Sequence, residues 1–316
     1  MKKKILISAL VGLALAFSGY WWLKREKSAE QVVAIVTTLS HPALEEVRQG
    51  FIAQLGSDIK FLDFNAEGSM QAANIIARQI AQNSQIIGIL TIGTLAAQAV
   101  GKVEKKRPIV IAAVSDPKAI FPDLQTHKNM CGLTDSIDAS YQIDMIISML
   151  PDIKSISLLY SPHEANSAFV VKNLAEQAHL KNLKAELVGV YEPQQITSAA
   201  LAACKKSDVV LIPLDNQLVA AMPSVIKATK NEPCPVITSN ESPIHQGASI
   251  SFGVDYKKSG QRAWEIMHDI IGEKKTPEEI GFINPEKLDI YINKRVVKEK
   301  NIKLNLVPGA HEISGE

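Results

Sequence analysis

From Val32 onward, short runs of Val, Ile and Leu alternate with segments of helix length, and nothing else in the chain limits its fold as strongly. The strand-like runs of the first part are Val32–Thr37, Ile59–Phe64, Ile86–Leu90 and Pro108–Val114. Helix-length stretches separate them at about Pro42–Gly56, Ser69–Asn83 and Thr94–Val103. The runs are almost continuously apolar, as parallel strands covered on both faces must be. Repeated strand–helix units of this kind predict an α/β chain with doubly wound sheets.

After an irregular stretch beyond Pro122 the pattern restarts at Tyr141 with a helix to Leu150. Strand Ser155–Tyr160, helix Asn166–Leu180, strand Lys184–Tyr191 and helix Pro193–Ala203 follow. Strand Val209–Pro213, helix Gln217–Thr229 and strands Val236–Thr238 and Ala248–Phe252 complete the block. The two blocks match junction by junction at offsets of about 121 to 127 positions, which predicts an internal pseudo-repeat of two similar lobes. In this reading residues 32–134 form lobe one, with a return segment at about 260–302, and residues 135–255 form lobe two. Residues 303–316 read as a polar C-terminal tail. Ser259–Ile271, with Trp264, Met267, Ile270 and Ile271 on one face, reads as an amphipathic helix, and Leu288–Asn293 as a further strand. A chain that leaves one lobe, builds another and returns makes a multi-strand hinge, and such a hinge implies closure on a ligand.

Composition narrows the functional class. Of 316 residues, 46% are apolar and 21% charged, and Lys+Arg 34 against Asp+Glu 33 leaves a net charge of +1. No basic stripe interleaved with aromatics exists, so nucleic acid is not an expected partner. There is no Gly-x-Ser-x-Gly elbow, P-loop, Gly-x-Gly-x-x-Gly or His/Cys metal spacing, so no enzyme activity, cofactor or metal is expected. Cys131, Cys204 and Cys234 are odd in number, which rules out a fully paired intramolecular framework. Met1-Lys2-Lys3-Lys4 is a basic start, and Ile5–Leu23 carries no charge. The run fits a signal peptide cleaved after Ala16-Phe17-Ser18. It also fits an uncleaved membrane anchor ending in the aromatic cluster Tyr20-Trp21-Trp22, the reading favoured here. Residues 1–31 are thus targeting segment plus linker, and the body is expected outside the cytoplasm, periplasmic or otherwise extracytoplasmic.

The strand–helix junctions hold the candidate binding residues, because open α/β sheets receive ligands at the carboxyl ends of their strands. Ser40 and His41 close the first strand, with Ser40 a candidate cap for the helix begun by Pro42. Thr94 opens a helix whose free N–H groups favour a carboxylate, whether or not its side chain also caps. Ser115 and Asp116 end the fourth strand, where Asp before Pro is also a common turn starter. The matching junction Tyr160–Phe169 offers Glu164, Asn166 and Ser167, of which one of the last two must cap a helix. Asp215 and Asn216 end the lobe-two equivalent of the Thr94 strand, and Asn240 and Asp255 complete the ring. Asp255 is placed either to fix the hinge or to touch ligand.

Several of these junctions resemble those of a known family, in the same order. They are His41-Pro42-Ala43-Leu44 with Gly50-Phe51, Thr94-Leu95-Ala96-Ala97-Gln98-Ala99 and Val114-Ser115-Asp116-Pro117. Tyr160-Ser161-Pro162-His163-Glu164-Ala165-Asn166-Ser167, Asp215-Asn216 and Gly253-Val254-Asp255-Tyr256 follow. The set is similar to the substrate-binding proteins of ABC transporters that include tryptophan- and other aromatic-amino-acid-binding members. The resemblance spans roughly Val32 to Ile302. It implies a type I periplasmic-binding-protein architecture, with two Rossmann-like lobes, three crossovers and a ligand trapped between them. It also implies that Thr94, Ser115 and Asp116 face the cleft from lobe one, and Glu164, Asn166, Ser167, Asp215 and Asn216 from lobe two. The departures at Ser161-Pro162-His163 and Ser239-Asn240-Glu241 bear on which ligand is bound. An amino acid suits such a site, with helix N-termini for its carboxylate and Asp215 or Glu164 for its ammonium. The expected partners are a small-molecule ligand and an ABC permease, the protein itself being a monomer. A membrane-anchored ligand-sensing ectodomain is the alternative.

Overall fold

The computed structural model describes residues 31–56, 59–285 and 288–314. The hydrophobic run at residues 5–23, and with it the anchor or signal reading, lies outside them. No helix among the described residues is long and apolar enough to cross a membrane.

Two sheets organise the chain. The first contains β1 (Gln31–Thr37), β2 (Ile59–Asn65), β3 (Ile86–Ile92), β4 (Ile109–Val114), β5 (Met130–Thr134) and the short β11 (Phe282–Ile283). Its order is β11-β5-β4-β3-β1-β2, and every pairing is parallel. The second contains β6 (Ser155–Tyr160), β7 (Lys184–Gly189), β8 (Val209–Ile212), β9 (Val236–Thr238), β10 (Ile250–Gly253), β12 (Asp289–Asn293) and β13 (Ala310–Ile313). Its order is β13-β12-β10-β9-β8-β6-β7, parallel except where β12 meets β10. β8, β9 and β10 are buried throughout, whereas β2 and β7, at the sheet edges, are largely exposed or half-buried. Apolar runs thus mark interior strands, and mixed ones mark edges.

The helices lie on both faces. In the first lobe they are α1 (Pro42–Ile52), α2 (Met70–Gln82), α3 (Thr94–Val103) and α4 (Pro117–Ile120). In the second they are α5 (Ala139–Met149), α6 (Ala165–Leu180), α7 (Ile196–Lys206), α8 (Asn216–Ala220) and α9 (Met222–Thr229). α10 (Tyr256–Ile271) returns to the first lobe and packs on α1. The fit is close because two glycines face it: a Cβ on Gly50 would strike the Lys257 carbonyl, and one on Gly260 the Val47 carbonyl. α11 (Pro277–Ile280) leads into β11, and α12 (Lys294–Glu299) follows β12.

Three segments depart from the sequence reading. β12 falls inside the expected return segment but pairs in the second sheet, with Ile250 opposite Ile292 and Phe252 opposite Ile290. The return to the first lobe therefore ends near β11, because alternating Ile290 and Ile292 fill the second core rather than the first. The supposed polar tail contributes β13, which pairs with β12 from Ala310 to Ile313. The single helix expected over Gln217–Thr229 is two, because Pro223 lacks an N–H and begins a new helix. Cys131, Cys204 and Cys234 are all buried and unpaired.

The chain passes between lobes three times: from β5 to α5, from β10 to α10, and from β11 to β12. The passages are tied together. Thr134 Oγ1 donates to Asn284 Oδ1 at 2.8 Å, joining the first to the third. The Tyr256 hydroxyl donates to Asp135 Oδ2 at 3.0 Å and accepts from Asn240 Nδ2 at 3.4 Å, joining the second to the first.

Candidate functional site

The carboxyl ends of the two sheets face each other across a cleft, and the lobes touch there. α4 and α3 pack against α6, and His41 Nε2 lies 3.1 Å from Asn216 Oδ1. On the first-lobe side, Gly93 has a φ of 90°, which lets β3 turn directly into α3. Thr94 is the first residue of that helix and does not cap it. The cap comes from the turn after β1, where Thr38 Oγ1 accepts from Ala96 N at 3.2 Å. His41 occupies the N-cap position of α1 without a side-chain cap bond, and Pro42 starts the helix. The ring is therefore free to cross the cleft. Ser40 does not cap α1 either: it is exposed and accepts from Asn65 Nδ2 at 2.9 Å, at the sheet's outer margin.

On the second-lobe side a buried hub replaces the expected ammonium ligand. Asp215 caps α8 by accepting from Leu218 N at 2.9 Å. It also accepts from Ser161 N at 2.6 Å, Ser161 Oγ at 3.0 Å and Ser167 Oγ at 2.7 Å. Every oxygen is engaged from within the lobe, so neither Asp215 nor Ser167 offers a free group to a ligand. Glu164 is likewise occupied: it accepts from Asn216 N at 3.0 Å, Asn216 Nδ2 at 2.9 Å and Gln217 N at 2.6 Å. Burial, then the nearby Asp215 charge, pushes the Glu164 carboxyl up to about 8 against the pull of these donors. Asn166 Nδ2 donates to the Leu214 carbonyl at 2.6 Å. These bonds lock the turn before α6 to the turn before α8.

The inner cleft is a small cavity lined by His41, Leu44 and Ser115 from the first lobe and Asn166, Leu214 and Asn216 from the second, with the hinge residues Asp135 and Tyr256 beside them. Its free volume is about 10 Å³. Burial lowers the His41 imidazole to about 4 despite its bond to Asn216. Asp135 is raised to about 6 by burial, against the hydrogen bond from Tyr256. The outer cleft is larger, about 400 Å³. Thr38, Leu39, Met70 and Leu95 line it from one lobe, and His163, Ala165 and Pro193 from the other. That size falls within the range of small-ligand pockets.

Of the residues expected at the site, His41, Ser115, Glu164, Asn166, Asp215, Asn216 and Asn240 line one of these two cavities. Thr94 is buried and lines neither. Asp116 caps α4 through Lys118 N, and exposed Asp255 caps α10 through Lys258 N, so both have structural duties. Sequence reasoning missed Asp135 and Thr38, and it named Tyr256 only beside Asp255, with no role of its own. Asp135 had one available signal, an acid directly after a strand that is apolar but for Thr134. Among the described residues no group of three His, Cys, Asp or Glu side chains could hold a metal.

Comparison with known proteins bears on this geometry. The chain is 28% identical over 286 residues to a tyrosine-binding protein of Clostridioides difficile, covering 87% of this chain and 82% of the relative. A crystal structure of a conserved domain protein from Vibrio cholerae matches with TM-score 0.83 at 29% identity, covering 90% of this chain and 99% of the other. An ABC domain from Streptococcus pneumonia in complex with L-Trp matches with TM-score 0.80 at 23% identity, covering 89% and 99%. The ligand-free, open structure of a Clostridium difficile substrate-binding protein matches with TM-score 0.68 at 25% identity, covering 90% and 100%. These likenesses agree with the two α/β lobes described above. Residues 32–307 match the family described as ABC transporter substrate binding protein, and the chain belongs to that family.

Proposed function

We propose that this protein captures an amino acid with an aromatic side chain by closing its two lobes over it. It would then present the closed form to an ABC permease, with residues 5–23 as its tether to the membrane. The observation that carries the reading is the cleft itself: both lobes contribute buried polar atoms to one cavity, and two of those atoms have no partner. The outer cavity beside it, lined by Leu39, Met70, Leu95 and Pro193, suits a flat apolar side chain. The relative named as tyrosine-binding and the L-Trp complex support an aromatic ligand. The better overlay on that complex than on the open, ligand-free structure supports closure as the working motion. A closed state is favoured only by contacts absent from the open one, and contacts from both lobes to one ligand are of that kind. Members of this family bind their substrate rather than transform it.

Isothermal titration of the purified protein against the twenty amino acids tests the proposal. Tyr, Trp or Phe should bind with a dissociation constant of about 1 µM or below, some −8 kcal/mol. No heat and no thermal shift with any of the three would refute the aromatic-ligand reading.

A further inference from the structure

With Asp215 and Glu164 occupied inside the second lobe, the ligand's ammonium lacks the counter-ion that the sequence suggested. The structure offers another. Asn216 is held from behind, because its backbone N and its Nδ2 both donate to Glu164 Oε2. Its Oδ1 is what remains for His41, so Nε2 of the ring carries the hydrogen and donates across the cleft at 3.1 Å. In a neutral imidazole the other nitrogen is then a bare acceptor. That atom, Nδ1, is buried without a partner, and burial keeps the ring neutral at ordinary pH. Asp135 stands in the same condition. Its Oδ2 accepts from the Tyr256 hydroxyl, while its Oδ1 is buried without a partner. Asp135 is 6% exposed and His41 7%, and both line the inner cavity.

Two unpartnered acceptors, one of them a carboxylate, repel an anion and call for a donor. The free volume of about 10 Å³ holds roughly one water-sized group and no side chain. An alkylammonium head has that size, carries three N–H donors and supplies the compensating charge. We propose that the α-ammonium of the ligand occupies this inner cavity, donating to Asp135 Oδ1 and His41 Nδ1, with Asp135 as its counter-ion. The assignment rests on the ligand being an amino acid. It also gives closure a chemical trigger. His41 belongs to the first lobe and Asp135 to the hinge, while Asn216 of the second lobe sets the tautomer that makes His41 an acceptor. The ammonium site is therefore complete only when the lobes have met.

Titrating L-tryptophan, L-tyrosine and indole-3-propionate, which lacks the ammonium, into the wild-type protein and Asp135→Asn tests the assignment. Wild type should prefer L-tryptophan over indole-3-propionate by at least about 100-fold, since truncating one side of a buried charge pair has effects of that size. In Asp135→Asn that preference should fall below about tenfold, through weaker amino-acid binding rather than tighter binding of the acid. A wild-type protein that does not distinguish the two indoles would show that the cavity holds only water, and this comparison stands even if the variant fails to fold. An unchanged preference in Asp135→Asn would overturn the counter-ion assignment and leave the amino-acid ligand standing. No binding of either amino acid to wild type would remove the ligand class and the ammonium site together.

Discussion

Asp215→Asn separates a structural carboxylate from a ligand-binding one. Asp215 is 1% exposed and accepts four hydrogen bonds, two from backbone N–H groups and two from hydroxyls. Bonds to a charged acceptor contribute about 1.5 kcal/mol or more each, so the four together amount to roughly 6 kcal/mol gross. Removing the charge returns part of this, because burial already raises the Asp215 carboxyl above its ordinary range. Asparagine keeps one acceptor oxygen, enough for about two of the four donors, and turns an NH2 toward the others. The expected net loss is about 3 kcal/mol, a fall in melting temperature of roughly 6–12 °C for lobes of this size. Differential scanning calorimetry measures it, and ligand titration below the lowered transition measures binding in parallel. A shift under about 3 °C, accompanied by a tenfold or greater loss of affinity, would mean that Asp215 serves the ligand and that its internal bonds are incidental.

Two further outcomes follow from the geometry. The His41 imidazole has a folded-state value of about 4 against 6.5 in the unfolded chain. Between those values the unfolded state binds more protons, so the ring's contribution is complete above pH 6.5 and is lost as pH falls through 4. At 1.36 kcal/mol per pH unit the loss is about 3 kcal/mol. Urea midpoints of wild type and His41→Asn should therefore converge on acidification, and parallel curves from pH 7 to pH 4 would contradict a buried neutral ring. Gly260→Ala should destabilise the first lobe by about 2 kcal/mol, because the new methyl meets the Val47 carbonyl in the α1–α10 crossing. A circular dichroism melt unchanged within 2 °C would show that these helices can separate freely.

The sheets were largely legible because burial on both faces leaves a compositional trace. Val33–Val36, Ile109–Ala112 and Val209–Ile212 are each fully buried, and each is an apolar run that a reader can find without a structure. The site was less legible, because its decisive contacts join residues far apart in the chain. Thr38 caps α3 from 58 positions away, a duty that local reasoning gave to Thr94. Asp135 acquires its setting from Tyr256, 121 positions later. Glu164 looked like a free acid because its donors, Asn216 and Gln217, come from the opposite turn, whereas the cap that Asp215 makes on Leu218 N is local. Pro223, which cannot continue a helix, marks in the sequence the break between α8 and α9. The C-terminal strand left little trace, since β13 is an edge with no fully buried residue.

The interleaving of the two sheets has a bearing on how the chain becomes a protein at all. Each lobe is discontinuous: the first cannot seat α10 and β11 until residues 256–283 are present, and the second lacks β12 and β13 until residues 289–313 follow. A chain emerging N-terminus first thus holds an incompletely covered first sheet for most of its length, with α1 but not yet α10 on one face. Pairings across such sequence separations form slowly and late. The same three passages that join the lobes in the finished molecule tie its folding to nearly the last residue of the chain.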